Sequence, residues 1–492
     1  MHRSNARARA RRRVRPSSVA WLLAVTLAAP LVARGQDITD TTFKIRYKGL
    51  TLTPIGYFAG EAVWRERNET ADIGSNFNAI PFTHSTNAQL SEFRGSARQS
   101  RIGLMADAKL NSDVSFRGYW ESDFLTVGTT SNSNESNSYA LRVRQIWGGA
   151  TIDHSSFYAG QMWSLMTPMK NGAAPRSEAV PLTIDAQYNV GFNWARQWGV
   201  RFVQDFDHKA AFAIGAEESQ MTFGGHGIPA NVFVGNAGGS LLNSTANYST
   251  DVAPDVVAKL SIDPGPFHFE IKAVGRLFRD RVVDTGATAS QSVTAIRTAG
   301  GVGAGLWIPF NYEGRDVLDL GVSGLWGNGI GRYGTGQLLD ATTRADGKIV
   351  PIRNAQGLVS IEAHPTKQLD IFLYGGSEYE YRMVTYTSAG KAVGYGAPTA
   401  NNSGCDKEYL PTGTPSAGFG AGSPGSACTG DTRALWEGTI GFWYSFYRGA
   451  FGRFAWGTEY HYVSKNTWVG ADGNMPQAID PMVYTSFRYY IP

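Results

Sequence analysis

Arg142 and Arg144 stand two residues apart, interleaved with Leu141 and Val143. An extended chain sends alternate side chains to opposite faces, so the two guanidiniums share one face and the two aliphatic groups the other. The arrangement recurs. Arg101 alternates with Ile102 and Leu104, Arg117 follows Phe116, and Arg201 lies between Val200 and Phe202. Lys259 extends the set, as do Lys272 and Arg276 on the polar face of 267–277. A guanidinium presents a planar fork of donors that fits carboxylate and phosphate oxygens. Rings of such groups around a hydrated bore favour anions. The predicted chemistry is recognition of small anions.

Glu121, Asp123 and Glu270 are expected on the same interior, as an acidic wall opposed to the basic one. Facing walls of opposite sign would set up a transverse field that orders water and orients polar solutes. The alternative is that these are solvated lumen charges, paired with one another and without selectivity. Covalent chemistry finds no constellation. His461 shares a face with Glu459, and Ser464 follows, but no G-x-S-x-G is present. The eight histidines show no metal-ligand spacing, and the glycine strings suit crowded strands better than a phosphate cradle. No catalytic residue, metal or cofactor is expected.

The elements that must position these charges form a comb of two-faced segments. In 100–110, Ile102, Leu104, Ala106, Ala108 and Leu110 oppose Arg101, Asp107 and Lys109. In 114–124, Phe116, Trp120 and Phe124 oppose Arg117, Tyr119, Glu121 and Asp123. Seven tight turns rich in Asn, Asp, Pro and Gly appear at 111–113, 153–156, 207–209, 263–266, 311–315, 364–367 and 447–449. Between them run eight longer stretches: 68–97, 127–138, 163–195, 221–252, 281–293, 327–353, 385–431 and 466–480. Strict alternation of short turns and long loops predicts an all-β fold, a transmembrane antiparallel barrel of sixteen strands over 51–492, with periplasmic turns and extracellular loops. The stretch 163–195 is unusually apolar for a solvated loop, carrying Leu165, Met166, Met169, Ile184, Tyr188, Phe192 and Trp194. It could fold into the pore, or pack on the rim or across a subunit contact.

Residues 1–35 read as a signal peptide: seven arginines from Arg3 to Arg15, the apolar run 19–32, and small residues before Gln36. Its eight arginines turn the formal charge of +4 into −4 once removed, so the basic pI gives no reason to expect nucleic acid. Residues 36–50 would form a short periplasmic segment. Cys405 and Cys428 share a Gly/Pro/Ser-rich stretch; in an oxidising compartment they either form one disulfide that staples a loop or remain two thiols. The expected location is the outer membrane of a Gram-negative-type bacterium, with its lipid and small anionic solutes as partners. A barrel without an open pore, structural or adhesive, and a barrel enzyme are the rival readings.

The strings 96–104 (SARQSRIGL), 141–148 (LRVRQIWG) and 157–164 (FYAGQMWS) resemble the DcaP-like porins of Gram-negative outer membranes. The resemblance implies a homotrimer of sixteen-stranded barrels passing dicarboxylate-like anions. It carries over the basic positions Arg101, Arg142 and Arg144, with Arg98 near the mouth. The chain departs from some relatives in lacking heptads over 37–48, where Phe43, Ile45 and Tyr47 alternate with lysine and arginine.

Overall fold

The computed structural model describes residues 43–126, 140–237, 247–284, 291–409, 428 and 430–492. The expected signal peptide and the loop 127–138 lie outside the described residues. Sixteen strands make one antiparallel sheet: β1 Leu50–Arg65, β2 Glu92–Ser96 continued by Arg101–Lys109, β3 Val114–Thr126, β4 Ala140–Ile152, β5 Ser155–Trp163, β6 Arg196–Phe206, β7 Ala210–Glu217 and β8 Asp255–Ile262. They continue as β9 His268–Val282, β10 Val293–Tyr312, β11 Arg315–Asn328, β12 Arg353–Ala363, β13 Leu369–Glu380, β14 Thr432–Gly449, β15 Gly452–Thr467 and β16 Gln477–Tyr490. The sheet closes on itself. β1 pairs with β2 (Gly56↔Ile102) on one edge and with β16 (Val63↔Tyr484) on the other. Closure removes every free edge, which hydrocarbon demands of a strand-built span.

The strand sequences set the polarity of the wall, and it is inside out. In β8, Asp255, Lys259 and Ser261 are buried at 0, 1 and 0 %, whereas Val256 and Leu260 are 52 and 41 % exposed. A soluble protein would reverse this. Ile146, Phe157, Val302, Val359 and Ile440 also face outward, forming the apolar band that lipid covers. The tight turns join strands at the expected places. Asp207 and His208 adopt φ of 54° and 57°, the left-handed pair that matches a two-residue hairpin to strand twist. A short ribbon, Ile45–Tyr47, folds back on Leu50–Leu52 at the turn end of the barrel.

Three long loops fold into the bore: L1 (66–91), L3 (164–195) and L6 (329–352). Their apolar residues build two clusters inside the barrel. One joins Ile73, Phe77 and Ile80 of L1 and Ile184, Val190 and Phe192 of L3 to Tyr374, Leu435, Trp443 and Met482 of the wall. The other joins Leu165 and Met166 of L3 and Ile330 and Tyr333 of L6 to Tyr119, Trp147 and Val257. Burying these side chains drives the loops inward; each is worth about 1.5–3 kcal/mol when fully removed from water.

Candidate functional site

L3 crosses the lumen as irregular backbone, so its amides and carbonyls need partners that a sheet would otherwise provide. The wall supplies them with charged side chains. Leu165 N donates to Glu217 (2.9 Å), Met169 N to Glu270 (3.1 Å), Ile184 N to Glu459 (2.8 Å), Val190 N to Glu437 (2.6 Å) and Gly191 N to Glu378 (2.9 Å). Cations serve the carbonyls. Arg201 donates to Trp163 O and Ala173 O, Lys259 to Thr167 O (2.7 Å) and Arg488 to Ile184 O. His461 sits between Glu437 (2.5 Å) and Glu459 (2.9 Å), bracing the two carboxylates. At Gly376 the wall needs a glycine, because a Cβ there would overlap the Val190 carbonyl; Gly191, at φ 86°, approaches the Gly357 carbonyl equally closely.

The nine cations singled out in the sequence therefore divide. Arg201, Lys259, Lys272 and Arg276, read there as pore-lining, are all buried at 1–2 %. Lys259 and Lys272 share Glu270 at 2.7 and 3.1 Å, and Arg276 pairs with Asp255 (2.9 Å) and with Asp340 of L6 (3.0 Å). The reason is that L3 and L6 cover this wall, which the alternation of a strand does not reveal. A second correction concerns the acids. Glu121, Asp123 and Glu270 do not form an opposed wall, because each pairs with cations of its own or the adjacent strand. Arg142 grips Asp123 with two bonds (2.9 and 2.7 Å), and Arg144 bridges Glu121 (2.6 Å) and Asp123 (2.8 Å). Antiparallel register accounts for it, since Asp123 lies directly opposite Arg142.

The other five remain on β2–β4. Arg101 stands 4.0 Å from Glu121 with its guanidinium over Tyr57, and Arg117 pairs with Asp107 (2.7 Å) at the turn end. Arg98 pairs with Asp72 of L1 at 2.8 Å. Arg144 is buried, whereas the Arg142 side chain keeps 37 % exposure. Arg142 spends Nε and Nη2 on Asp123, and its Nη1 has no partner among the described residues.

Arg98, Arg142 and Arg196 converge on a cavity of about 340 Å³, closed by Asp72 of L1, by Asp185, Tyr188 and Trp194 of L3, and by Thr335 of L6. Arg196 stacks on Trp163 and Trp194, with its guanidinium 5.2 and 5.6 Å from the ring centroids. Three guanidiniums meet the carboxylates of Asp72 and Asp185, and a third carboxylate, Asp123, pairs with Arg142. On the turn side of L3 lies a second cavity of about 650 Å³, lined by Lys170, His208, Asp263 and His268. Arg176 of L3 lies over Tyr119, 4.5 Å from the ring centre, facing the β3–β4 wall.

Among the described residues one group has metal-ligand geometry: Asp316, Asp319 and His364 at the turn end. Part of its charge is answered from within. Lys170 reaches Asp319 (3.7 Å) and Glu362 (3.3 Å), and the carboxylates of Asp319 (3.9 Å) and Asp370 (2.7 Å) beside His364 raise its imidazole to about 10.

Sequence reasoning missed Arg196 and the parts of L1 and L6 that complete the cavity. The signal was available in Ile73, Phe77 and Ile80, and in Ile330, Tyr333 and Leu338. These apolar residues have no strand alternation around them and are as unusual in solvated loops as those of L3. Cys405 and Cys428 form a disulfide that spans 23 residues of the seventh long loop.

No protein-family model and no curated protein matches the chain. Among solved structures it is similar to the outer-membrane channel DcaP of Acinetobacter baumannii, with a TM-score of 0.61 and 16 % identity over 91 % of this chain and 99 % of that one. It also matches OmpT of Vibrio cholerae (TM-score 0.46, 9 % identity, 91 and 99 % coverage) and an anion-selective porin from Comamonas acidovorans (0.44, 9 %, 90 and 100 %). At those scores the likeness carries no functional argument. The inverted polarity of a closed sixteen-stranded wall, with the fold it shares with DcaP, marks this chain as a β-barrel of the outer membrane.

Proposed function

We propose that the barrel is a diffusion channel for small polar anions, with dicarboxylates as its solute class, and that L3 narrows the bore against β2–β4. The observation that carries this reading is the convergence of Arg98, Arg142 and Arg196 on one cavity from β2, β4 and β6. Each guanidinium is held in place by an acid or an aromatic ring, so little conformational freedom is lost when a solute binds. A dianion can engage two forks at once. Ion pairing with Asp72 and Asp123 keeps the site from holding the anion too tightly, as conduction requires. The resemblance to DcaP-like porins supports a homotrimer, which native mass spectrometry of the detergent-solubilised protein would test.

Liposome swelling tests the solute class. Succinate should enter several-fold faster than an uncharged sugar of similar size, and Arg142→Gln should abolish the preference. Equal rates for both solutes would remove the anion reading. Absence of any swelling or conductance would favour a structural barrel instead.

A further inference from the structure

The turn ends of β11, β12 and β13 bring together side chains that lie far apart in the chain. Asp319 stands opposite Glu362 in the register of β11 with β12, and the His364 amide, one step past β12, donates to the Val317 carbonyl (2.9 Å). Asp370 follows at the start of β13. Asp316, Asp319 and His364 thereby offer two carboxylate oxygens and a ring nitrogen, all within 4.8 Å of one another. Two carboxylates that close repel unless a proton or a cation stands between them.

Two further features point to a metal ion. The first is Asp319 itself, which is 2 % exposed. Lys170 and His364 both approach its Oδ2, at 3.7 and 3.9 Å, while its Oδ1 is buried with no hydrogen-bond partner among the described residues. A buried carboxylate oxygen without a donor costs stability, so an orphan at this place calls for a ligand. Lys170 is engaged with Glu362 (3.3 Å) and lies over the Trp307 ring, and the Arg315 guanidinium turns to the Pro365 carbonyl (3.1 Å). The second feature is the orientation of His364. Its Nδ1 stands 2.7 Å from Asp370, and an ionised carboxylate only accepts, so Nδ1 is the donor. Nε2 is then the nitrogen turned toward Asp319. Metal-bound histidines are held in this way: one ring nitrogen donates to a carboxylate, which fixes the tautomer and makes the other more basic.

We propose that Asp316, Asp319 and His364 form a binding site for a divalent transition-metal ion of the zinc class, with Asp370 as the residue that orients the imidazole. Carboxylate combined with imidazole suits zinc, whereas magnesium and calcium prefer oxygen alone. His364 coordinates as the neutral imidazole, so its Nε2 proton leaves as the metal bond forms. Three protein ligands leave a fourth position open to water. The site shares no residue with the Arg98, Arg142 and Arg196 cavity, so it and the anion reading fail separately.

Isothermal titration calorimetry of the chelator-treated, detergent-solubilised protein with zinc chloride tests it, with and without magnesium chloride in excess. One zinc per chain should bind more tightly than any other. Asp316→Asn, exposed at the start of β11, should weaken that binding at least about tenfold, and Asp370→Asn, which removes no ligand, should weaken it by about 10–100-fold. His364→Gln should abolish it. Each variant should keep heat-resistant gel mobility and wild-type conductance; should His364→Gln not fold, Asp316→Asn decides. The exposed His154 and His208, on neighbouring turns, serve as controls, and replacing both by Gln should leave the tight site unchanged. No zinc binding, binding that survives His364→Gln or Asp316→Asn, or binding that disappears with the two surface histidines would overturn the site. So would displacement of the zinc by millimolar magnesium, which would make the cluster an acidic patch with diffuse counter-ions.

Discussion

The inner wall along β2–β4 and the wall from β6 round to β16 carry the same kinds of charged residue and use them differently. On β2–β4, Arg101, Arg117 and Arg142 balance acids of neighbouring strands and keep part of each side chain turned to water, and Arg98, in the break of β2, balances Asp72 of L1. On the far wall, Arg201, Lys259, Glu270, Glu437, Glu459 and Arg488 are buried and spend their charge on the backbone of L3. Residue type does not distinguish the two. What faces the side chain does: water on one wall, an irregular loop backbone on the other. A charge facing backbone acts as a structural hydrogen-bond partner, and a charge facing a hydrated gap is available to a solute.

The sharpest way to break this contrast is Glu270→Gln. That carboxylate neutralises two buried ammoniums and caps Met169 N, so its loss should cost about 3–5 kcal/mol. The expected result is a markedly lower temperature for loss of heat-resistant gel mobility, with raised single-channel conductance as L3 loosens. Unchanged thermal resistance would contradict the anchoring role. Gly376→Ala should act through shape alone. The added methyl meets the Val190 carbonyl, with a cost of roughly 1–3 kcal/mol and a noisier, wider channel. Identical current traces for variant and wild type would show that L3 does not rest there.

A smaller effect is expected at Glu69 of L1, which burial raises to about 7. A carboxyl with a raised folded-state pKa destabilises the folded loop at a pH above that value, and the penalty fades as pH falls toward the unfolded value near 4.5. Glu69→Gln should therefore be more thermally stable than wild type at pH 8 and equal to it at pH 5. A difference that does not change with pH would rule out titration of this group. The smallest effect belongs to the Cys405–Cys428 disulfide. Reduction frees a closed loop worth about 3 kcal/mol of local restraint, and barrel mobility on gels should not change. A barrel that falls apart on reduction would make the seventh loop part of its frame.

How much of this was legible follows from what alternation encodes. Period-two polarity and turn chemistry are local, so all sixteen strands and seven turns could be placed from the chain alone. The face of Arg201 was equally legible; its burial was not, because that depends on L3, more than thirty residues long, returning across the lumen. The pairing of Asp123 with Arg142 rather than an opposed wall depends on register between β3 and β4, including the shift at Glu121/Ser122. Face is a property of one strand, whereas neighbour is a property of two. Arg196 escaped notice because it stands at the junction of L3 and β6, beside Trp194, where the strand pattern has only just begun.

The reversal potential of the reconstituted channel in a salt gradient, for wild type and for Arg98→Gln with Arg142→Gln, tests the central claim most directly. One unit charge about 7 Å from a permeating ion is worth about 0.6 kcal/mol in water, a factor of about three. Wild type should be anion-selective, and the double variant should lose up to about ninefold of that preference while the Arg201 and Lys259 wall remains intact. A cation-selective wild type, or selectivity that survives both substitutions, would contradict the account.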